Sequence, residues 1–244
     1  MRTTVTNPAV RRPVIGGAAV LVSLAAGVGT AAAAPTSADS TTAADTANTV
    51  TKADTTTAAT AAAVTGGHVT RGSGWAHLTP SQQGEARNYW CGPAALVSTL
   101  KASGHGSHTQ TWAAGVLHTT TNGTDMEHML NGLNAYSGGF KYDEVFESGS
   151  WSSYVSAYES HLKSDINAGE GLVGNAYEVP GGPHLAGHPN HLIYHYIAID
   201  GYSNNGATTH YADPATTVWS TVPAYSNISS SLLVRIMGGR GYYW

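Results

Sequence analysis

This chain has a single cysteine, Cys91. An intramolecular disulfide is therefore excluded, and the fold must rest on burial and hydrogen bonding. Positive charge is also scarce: 11 Lys and Arg stand against 15 Asp and Glu in 244 residues, a net charge of −4. A protein that grips phosphates needs a basic patch, so a nucleic-acid partner is not expected. There is no internal repeat, and the one sustained apolar run lies near the N-terminus, from Val14 to Val28.

That run belongs to a distinct segment. Arg2, Arg11 and Arg12 precede it, and "TAAAAPTS" follows it with small residues suited to cleavage near Ala33 or Ala34. Residues 1–34 therefore read as an export signal, in preference to a membrane anchor; "RRPVI" is a faint twin-arginine hint. Residues 35–66 are nearly all Thr, Ala, Ser and Asp, with no aromatic residue. Such a stretch buries too little to offset its ordering entropy, and reads as a disordered linker or pro-segment. The remainder, 67–244, holds all 12 histidines, all 6 tryptophans and all 13 tyrosines. It is long enough for one core and one domain. A free thiol on an exported chain is a liability in an oxidising place, so Cys91 calls for an explanation.

Periodicity divides the folded unit in two. "PAALVSTLKASG" predicts a helix, with Pro93 in its first turn, Leu96, Val97 and Leu100 as its apolar stripe, and Gly104 as its stop. Further helices are predicted in "HTQTWAAGVLHT", after a Thr109 start, in "GTDMEHMLNGLNAYSG" and in "SWSSYVSAYESHLKSDINAG". After Gly169 the period becomes extended. "GLVGNAYEV", "HLIYHYIAIDGYS" and "THYADPATTVW" predict strands, "SLLVRIMGG" a further one, and "SNNGA" a hairpin turn. The 77–92 stretch reads as an irregular lead-in. Helices followed by antiparallel strands predict an α+β fold with segregated layers.

The chemistry centres on "NYWCGPAAL". A cysteine nucleophile needs a stabilised thiolate, a base, and a group to orient the base. A helix start favours the thiolate through its free N–H groups, and the same groups can stabilise an oxyanion. The predicted hairpin supplies the rest. With its turn at Asn204–Asn205, His195 faces residues 213–215, so Asp213 can hold the imidazole. Asp200, on the same strand as His195, is the weaker candidate. A lone cysteine is more often a small buried residue, and twelve histidines make chance His–Asp pairs common. The combination carries more weight than any member.

At "YWCGPAAL" and at "HYIAIDGY" with "HYADPA", the chain resembles secreted bacterial papain-like cysteine peptidases of the family-thirty-nine type, related to the double-glycine peptidases of bacteriocin export. "TNGTDMEHMLNGLN" resembles the middle helical region of that family. The resemblance implies a papain-like α+β fold, with the cysteine at a helix N-terminus packed on an antiparallel sheet that carries His and Asp. It implies Cys91, His195 and Asp213 as catalytic residues, no cofactor, and a secreted monomer acting on peptide or protein substrates, free of the membrane once the signal is cleaved. The oxyanion-hole Gln of the family lies about six residues before the cysteine, where this chain has Glu85. Gln83 is the expected substitute, then Gln82. The export transporters of that group add membrane and ATPase domains that these residues do not contain, so processing during transport is not expected.

Three other readings remain open. His184, His188, His191 and His195 recur at spacings that would form a metal stripe on a helix, but Pro183 and Pro189 interrupt them. Glu85 also admits a papain-like binding module with altered catalysis, and the same triad would serve an enzyme that transfers the acyl group to an amine.

Overall fold

Side chains cap the helices at the positions where the sequence offers them. Thr109 accepts from the Trp112 N–H at 3.2 Å, Asp125 from His128 at 2.8 Å and Ser229 from Leu232 at 3.3 Å. Each satisfies an N–H that the first helical turn leaves open. The computed structural model describes residues 66–244. The expected export signal (1–34), and all but the last residue of the expected linker (35–66), lie outside the described residues.

The chain order is β1 (Val69–Gly72), β2 (Trp75–Leu78), α1 (Cys91–Ala102), α2 (Gln110–Val116), α3 (Met126–Tyr136) and β3 (Glu144–Phe146). There follow α4 (Val155–Ala168), β4 (Leu172–Glu178), β5 (Ile193–Ser203), β6 (Thr208–Ala212), β7 (Tyr225–Ser229), α5 (Ser230–Met237) and β8 (Gly241–Tyr243). The fold is α+β, with one antiparallel sheet in the order β1-β2-β5-β4-β8-β3, onto which β6 and β7 join through β5. Among the described residues no helix is long and apolar enough to cross a membrane.

Three expectations are corrected. "SLLVRIMGG" forms α5, not a strand: Ser229 caps it, and Leu233, Val234, Ile236 and Met237 are buried, which spans a helical face. The stretch "THYADPATTVW" leaves the sheet after Ala212 and turns into a 3-10 segment at Pro214–Thr217, because Pro214 cannot donate to a ladder. The strands are not confined to the C-terminal half, since β1 and β2 precede α1 and β3 lies between α3 and α4.

The sheet is covered on both faces. Val173 of β4, Tyr196 of β5 and Tyr243 of β8 pack with α1, α2 and α3, through Leu96, Leu100, Leu117, Met129 and Leu133. Their sequence neighbours Leu172, Ile197 and Tyr242 pack on the other side, with Tyr158, Leu162 and Ile166 of α4 and Leu233 and Met237 of α5. Alternation along each strand produces this division. Helix α1 is buried from Gly92 through Leu100. Burial of its Leu and Val side chains contributes about 1.5–3 kcal/mol each. That burial makes α1 a fixed axis for the site at its N-terminus.

One buried group opposes this stability. Glu147, just past β3, is 1% exposed, and neither carboxylate oxygen has a hydrogen-bond partner. Desolvation pushes its titration from 4.5 up to about 8. Asp165 is raised in the same direction to about 7, first by burial and then by Glu170. Between the unfolded and folded values, the folded state holds a proton that the unfolded chain has released. Stability therefore falls as pH rises through that window and levels off above it. Glu147→Gln should raise the melting temperature at about pH 8, with a smaller gain at about pH 5. Equal gains at both values, read by calorimetry, would show that Glu147 is not neutral in the folded protein.

Candidate active site

Helix α1 opens on Cys91 with no side-chain cap and no acidic residue in its first turn. Its dipole and free N–H groups are thus uncompensated by the helix itself, and their positive end lies at Cys91. Pro93 sits in the first turn, where its missing N–H costs nothing. Gly92 is required by close packing: a Cβ there would lie 2.4 Å from Thr124 Oγ1. Thr124 is bonded to Thr119 at 2.7 Å, so the loop before α3 is pressed against the cysteine's own turn.

His195, on β5, is 3% exposed. Its Nε2 lies 2.9 Å from Asp213 Oδ1, which leaves Nδ1 as the ring nitrogen free of Asp213, and Cys91 borders the same two clefts as the ring. Asp213 is the first residue after β6. It caps the 3-10 segment, with Oδ1 accepting from Ala215 N–H at 2.9 Å. Its backbone N–H donates to Ala224 at 3.0 Å, and its carbonyl accepts from Gln82 Nε2 at 2.7 Å. The ladder pairs Ala198 with Ala212 and Ile199 with Tyr211, the upper end of the expected register, and shifts by one at the bulge between Ile199 and Gly201. Asp213 reaches His195 from just beyond the last pair. Asp200 lies in the bulge and holds His210 Nδ1 at 2.5 Å.

The charges support one another. Burial would lower the His195 pKa, but the Asp213 charge and hydrogen bond, with Cys91 behind them, outweigh it and raise it well above the ordinary value. Burial would raise Asp213, yet His195 and His188 hold it far below the usual carboxylate range. The imidazolium and the carboxylate are therefore both favoured in this buried site.

The predicted glutamines are placed elsewhere. Gln82 binds Asp213 and Thr216 through its amide. The Gln83 backbone N–H donates to Ser98 Oγ at 3.2 Å, and Gln83 lines neither cleft at Cys91. Glu85 does line one, with Cys91 and His195. It is 6% exposed, and its Oε2 accepts from the Trp90 N–H at 3.1 Å. Burial raises its pKa, with His195 opposing. Of the three upstream side chains, Glu85 alone borders a cleft with Cys91 and His195, and its segment is anchored at the Glu85 N–H by the Pro214 carbonyl at 2.8 Å.

Two clefts meet at Cys91 and His195. One, of about 530 Å³, is lined by Thr124, Asp125, Asn175, Tyr194 and Arg240. The other, of about 390 Å³, is lined by Tyr89, His191, Leu192, Val218 and Trp219. The guanidinium of Arg240 lies 4.5 Å over the Tyr194 ring. The two clefts thus leave room for an extended chain on either side of Cys91.

The four spaced histidines do not form a stripe. His184, His188 and His191 lie in the loop between β4 and β5, and His195 lies on β5. His184 Nδ1 is 2.6 Å from Glu178 Oε2. His188 lies 2.8 Å from Glu178 Oε1 through Nδ1 and 3.1 Å from Asp213 Oδ2 through Nε2. The ligand atoms of His188, His195 and Asp213 are within 4.8 Å of one another, but both imidazoles direct Nε2 at Asp213, so an ion would have to displace those contacts. The roles of Glu178 and His188 escape sequence reasoning, since the loop has no period that would bring them together.

Residues 75–231 match the model of the family described as Peptidase_C39 like. Among solved structures, the peptidase domain of Streptococcus ComA, a bifunctional ABC transporter involved in quorum sensing, is similar at 14% identity. That match covers 68% of this chain and 96% of that one, with a TM-score of 0.44. A double-glycine-motif protease from an AMS/PCAT transporter, solved with its leader peptide, is similar at 14% identity, covering 72% of this chain and 93% of that one, with a TM-score of 0.42. A search of curated proteins gave no match.

Proposed function

The chain belongs to the Peptidase_C39-like family, and from that premise we propose that it is an exported thiol peptidase acting through Cys91, His195 and Asp213. The observation that carries the reading is the placing of Cys91, at the head of a buried helix, on the same two clefts as His195, whose ring is held by Asp213 at 2.9 Å. Export rests on residues 1–34 of the sequence.

In this mechanism the Cys91 thiolate attacks the scissile carbonyl carbon, and the carbonyl oxygen takes the negative charge. Collapse breaks the C–N bond as the imidazolium gives its proton to the leaving amine, through the nitrogen that faces Cys91. The product is a thioester on Cys91. Water then adds to it, with His195 accepting a proton, and the acid departs as the thiolate and imidazolium re-form. Asp213 holds the ring in the required tautomer throughout.

Oxyanion stabilisation falls to the helix-start N–H of Cys91 and to Glu85 as a neutral carboxyl. Its Oε2 accepts from Trp90, which leaves Oε1–H free to donate. An ionised Glu85 would repel the oxyanion, and that state favours the second reading, a binding module with altered catalysis.

Three outcomes test these assignments. Iodoacetamide should alkylate Cys91 at about pH 6 much faster than it alkylates glutathione, whose thiol is protonated there; equal rates would sink the nucleophile assignment. On a peptide selected from a library against Cys91→Ala as the blank, Asp213→Asn should lower turnover by roughly 10²–10⁴. Asp200→Asn should stay near wild type, and exchanged outcomes would assign the orienting role to Asp200. Activity of the wild type should fall as pH rises through the Glu85 titration, while Glu85→Gln should stay active beyond that point. A Gln variant with the wild-type pH profile would remove Glu85 from the oxyanion site.

A further inference from the structure

Asp213 has two imidazole partners, and the peptidase reading uses only one. The second, His188, has a side chain with no solvent exposure, as has Glu178. Its Nε2 is 3.1 Å from Asp213 Oδ2, and its Nδ1 is 2.8 Å from Glu178 Oε1. Carboxylate oxygens only accept, and a neutral imidazole has one donor. A neutral His188 would therefore aim a nitrogen lone pair at a carboxylate in a dry site. The Nδ1 contact is also bent away from hydrogen-bond geometry, so charge attraction holds it in place of a straight hydrogen bond.

We propose that His188 is a positioning residue: a buried imidazolium bridging Glu178 and Asp213, which fixes Asp213 so that its other oxygen faces His195. The proposal rests on the thiol-peptidase reading for its consequence, though not for its geometry. The arrangement alternates in sign from Cys91 through His195, Asp213 and His188 to Glu178, whose second oxygen holds His184 at 2.6 Å. His184 Nε2 lies 3.1 Å from Asn190 Oδ1, and Asn190 accepts the Gly181 N–H at 2.7 Å. The β4–β5 loop is thus closed on itself at the far end of the network. The groups facing His188 are Glu178 from β4, Asp213 after β6, His195 from β5 and, farther off, Glu85 before α1. The Trp219 ring, 5.1 Å away, covers it. Burial alone would lower the His188 pKa, but the Asp213 and Glu178 contacts outweigh it and raise it. Glu178 and Asp213 together thus favour the protonated ring. Asp213 then stays anchored at both oxygens, and its negative charge is shared between two cations.

Two measurements test this. In ¹⁵N NMR of histidine-labelled protein, both His188 ring nitrogens should carry protons at about pH 7. One bare nitrogen there, as when Glu178 carries the proton instead, overturns the proposal. The second is Cys91 alkylation rate against pH in wild type, Glu178→Gln, and the Glu178→Gln/His188→Gln pair, with each fold checked by thermal melting. Glu178→Gln leaves His188 with one anion, so it should lose its proton at lower pH and add a step to the curve between about pH 6 and 8. The double variant lacks the titrating group and should show no such step, with a rate at about pH 6 lowered roughly tenfold. A folded Glu178→Gln protein with the wild-type curve makes His188 a loop anchor only, and overturns the proposal. Should wild-type Cys91 react like a free thiol, the peptidase reading fails by itself, while the NMR result still decides the state of His188.

Discussion

A buried carboxylate that accepts from three directions organises this site. Asp213 is 1% exposed, and an uncompensated charge at that depth would cost several kcal/mol. It is compensated by His195, His188 and the Ala215 N–H together. Those partners come from β5, from the β4–β5 loop and from the 3-10 segment after β6. The carboxylate therefore ties three separate segments to one point, and Gln82 adds the lead-in to α1 through the Asp213 carbonyl. Pro214 fixes the backbone just past it and offers its carbonyl to Glu85. Removing the charge at this point would loosen both walls of the second cleft.

Around that point, the fold acts mainly to hold things still. Helix α1 has almost no exposed surface and presses its first turn against the sheet and the Thr119–Thr124 loop. The thiol alone of that helix start is left partly open. A sheet covered on both faces gives β5 little freedom to shift register, so His195 stays where the end of β6 can meet it. The acidic groups away from the site, Glu147 and Asp165, are buried without that kind of support. They trade stability for pH sensitivity, and they lie by the terminal strand rather than the thiol.

Much of this was legible in residue order. The helix that starts at Cys91, the Thr109 start of the next helix, and the strand around His195 follow from local rules of capping and periodicity. The approach of Asp213 to His195 follows in part from the hairpin turn at Asn204–Asn205, because an antiparallel ladder brings β6 back along β5; the ladder ends at Ala198–Ala212, and the turn into the 3-10 segment carries Asp213 the rest of the way. The C-terminal helix was misread because "SLLVRIM" is a short apolar run, and such runs suit either period. The caps on either side, Ser229 and Gly238, were the discriminating signal. The β1–β2 hairpin was missed because four-residue strands carry too little pattern.

By itself the sequence determined the α+β class, the helix that presents the thiol and the pairing that brings a carboxylate to its histidine, since each depends on neighbours or on one tight turn. Only the tertiary structure decided which upstream side chain stands at the cysteine and which groups stand behind Asp213. Glu85, His188 and Glu178 are brought in by an irregular lead-in and a proline-interrupted loop. In such segments the side-chain direction is set by long-range anchors, here the Pro214 carbonyl and the Asp213 and Glu178 carboxylates, and no local period encodes it.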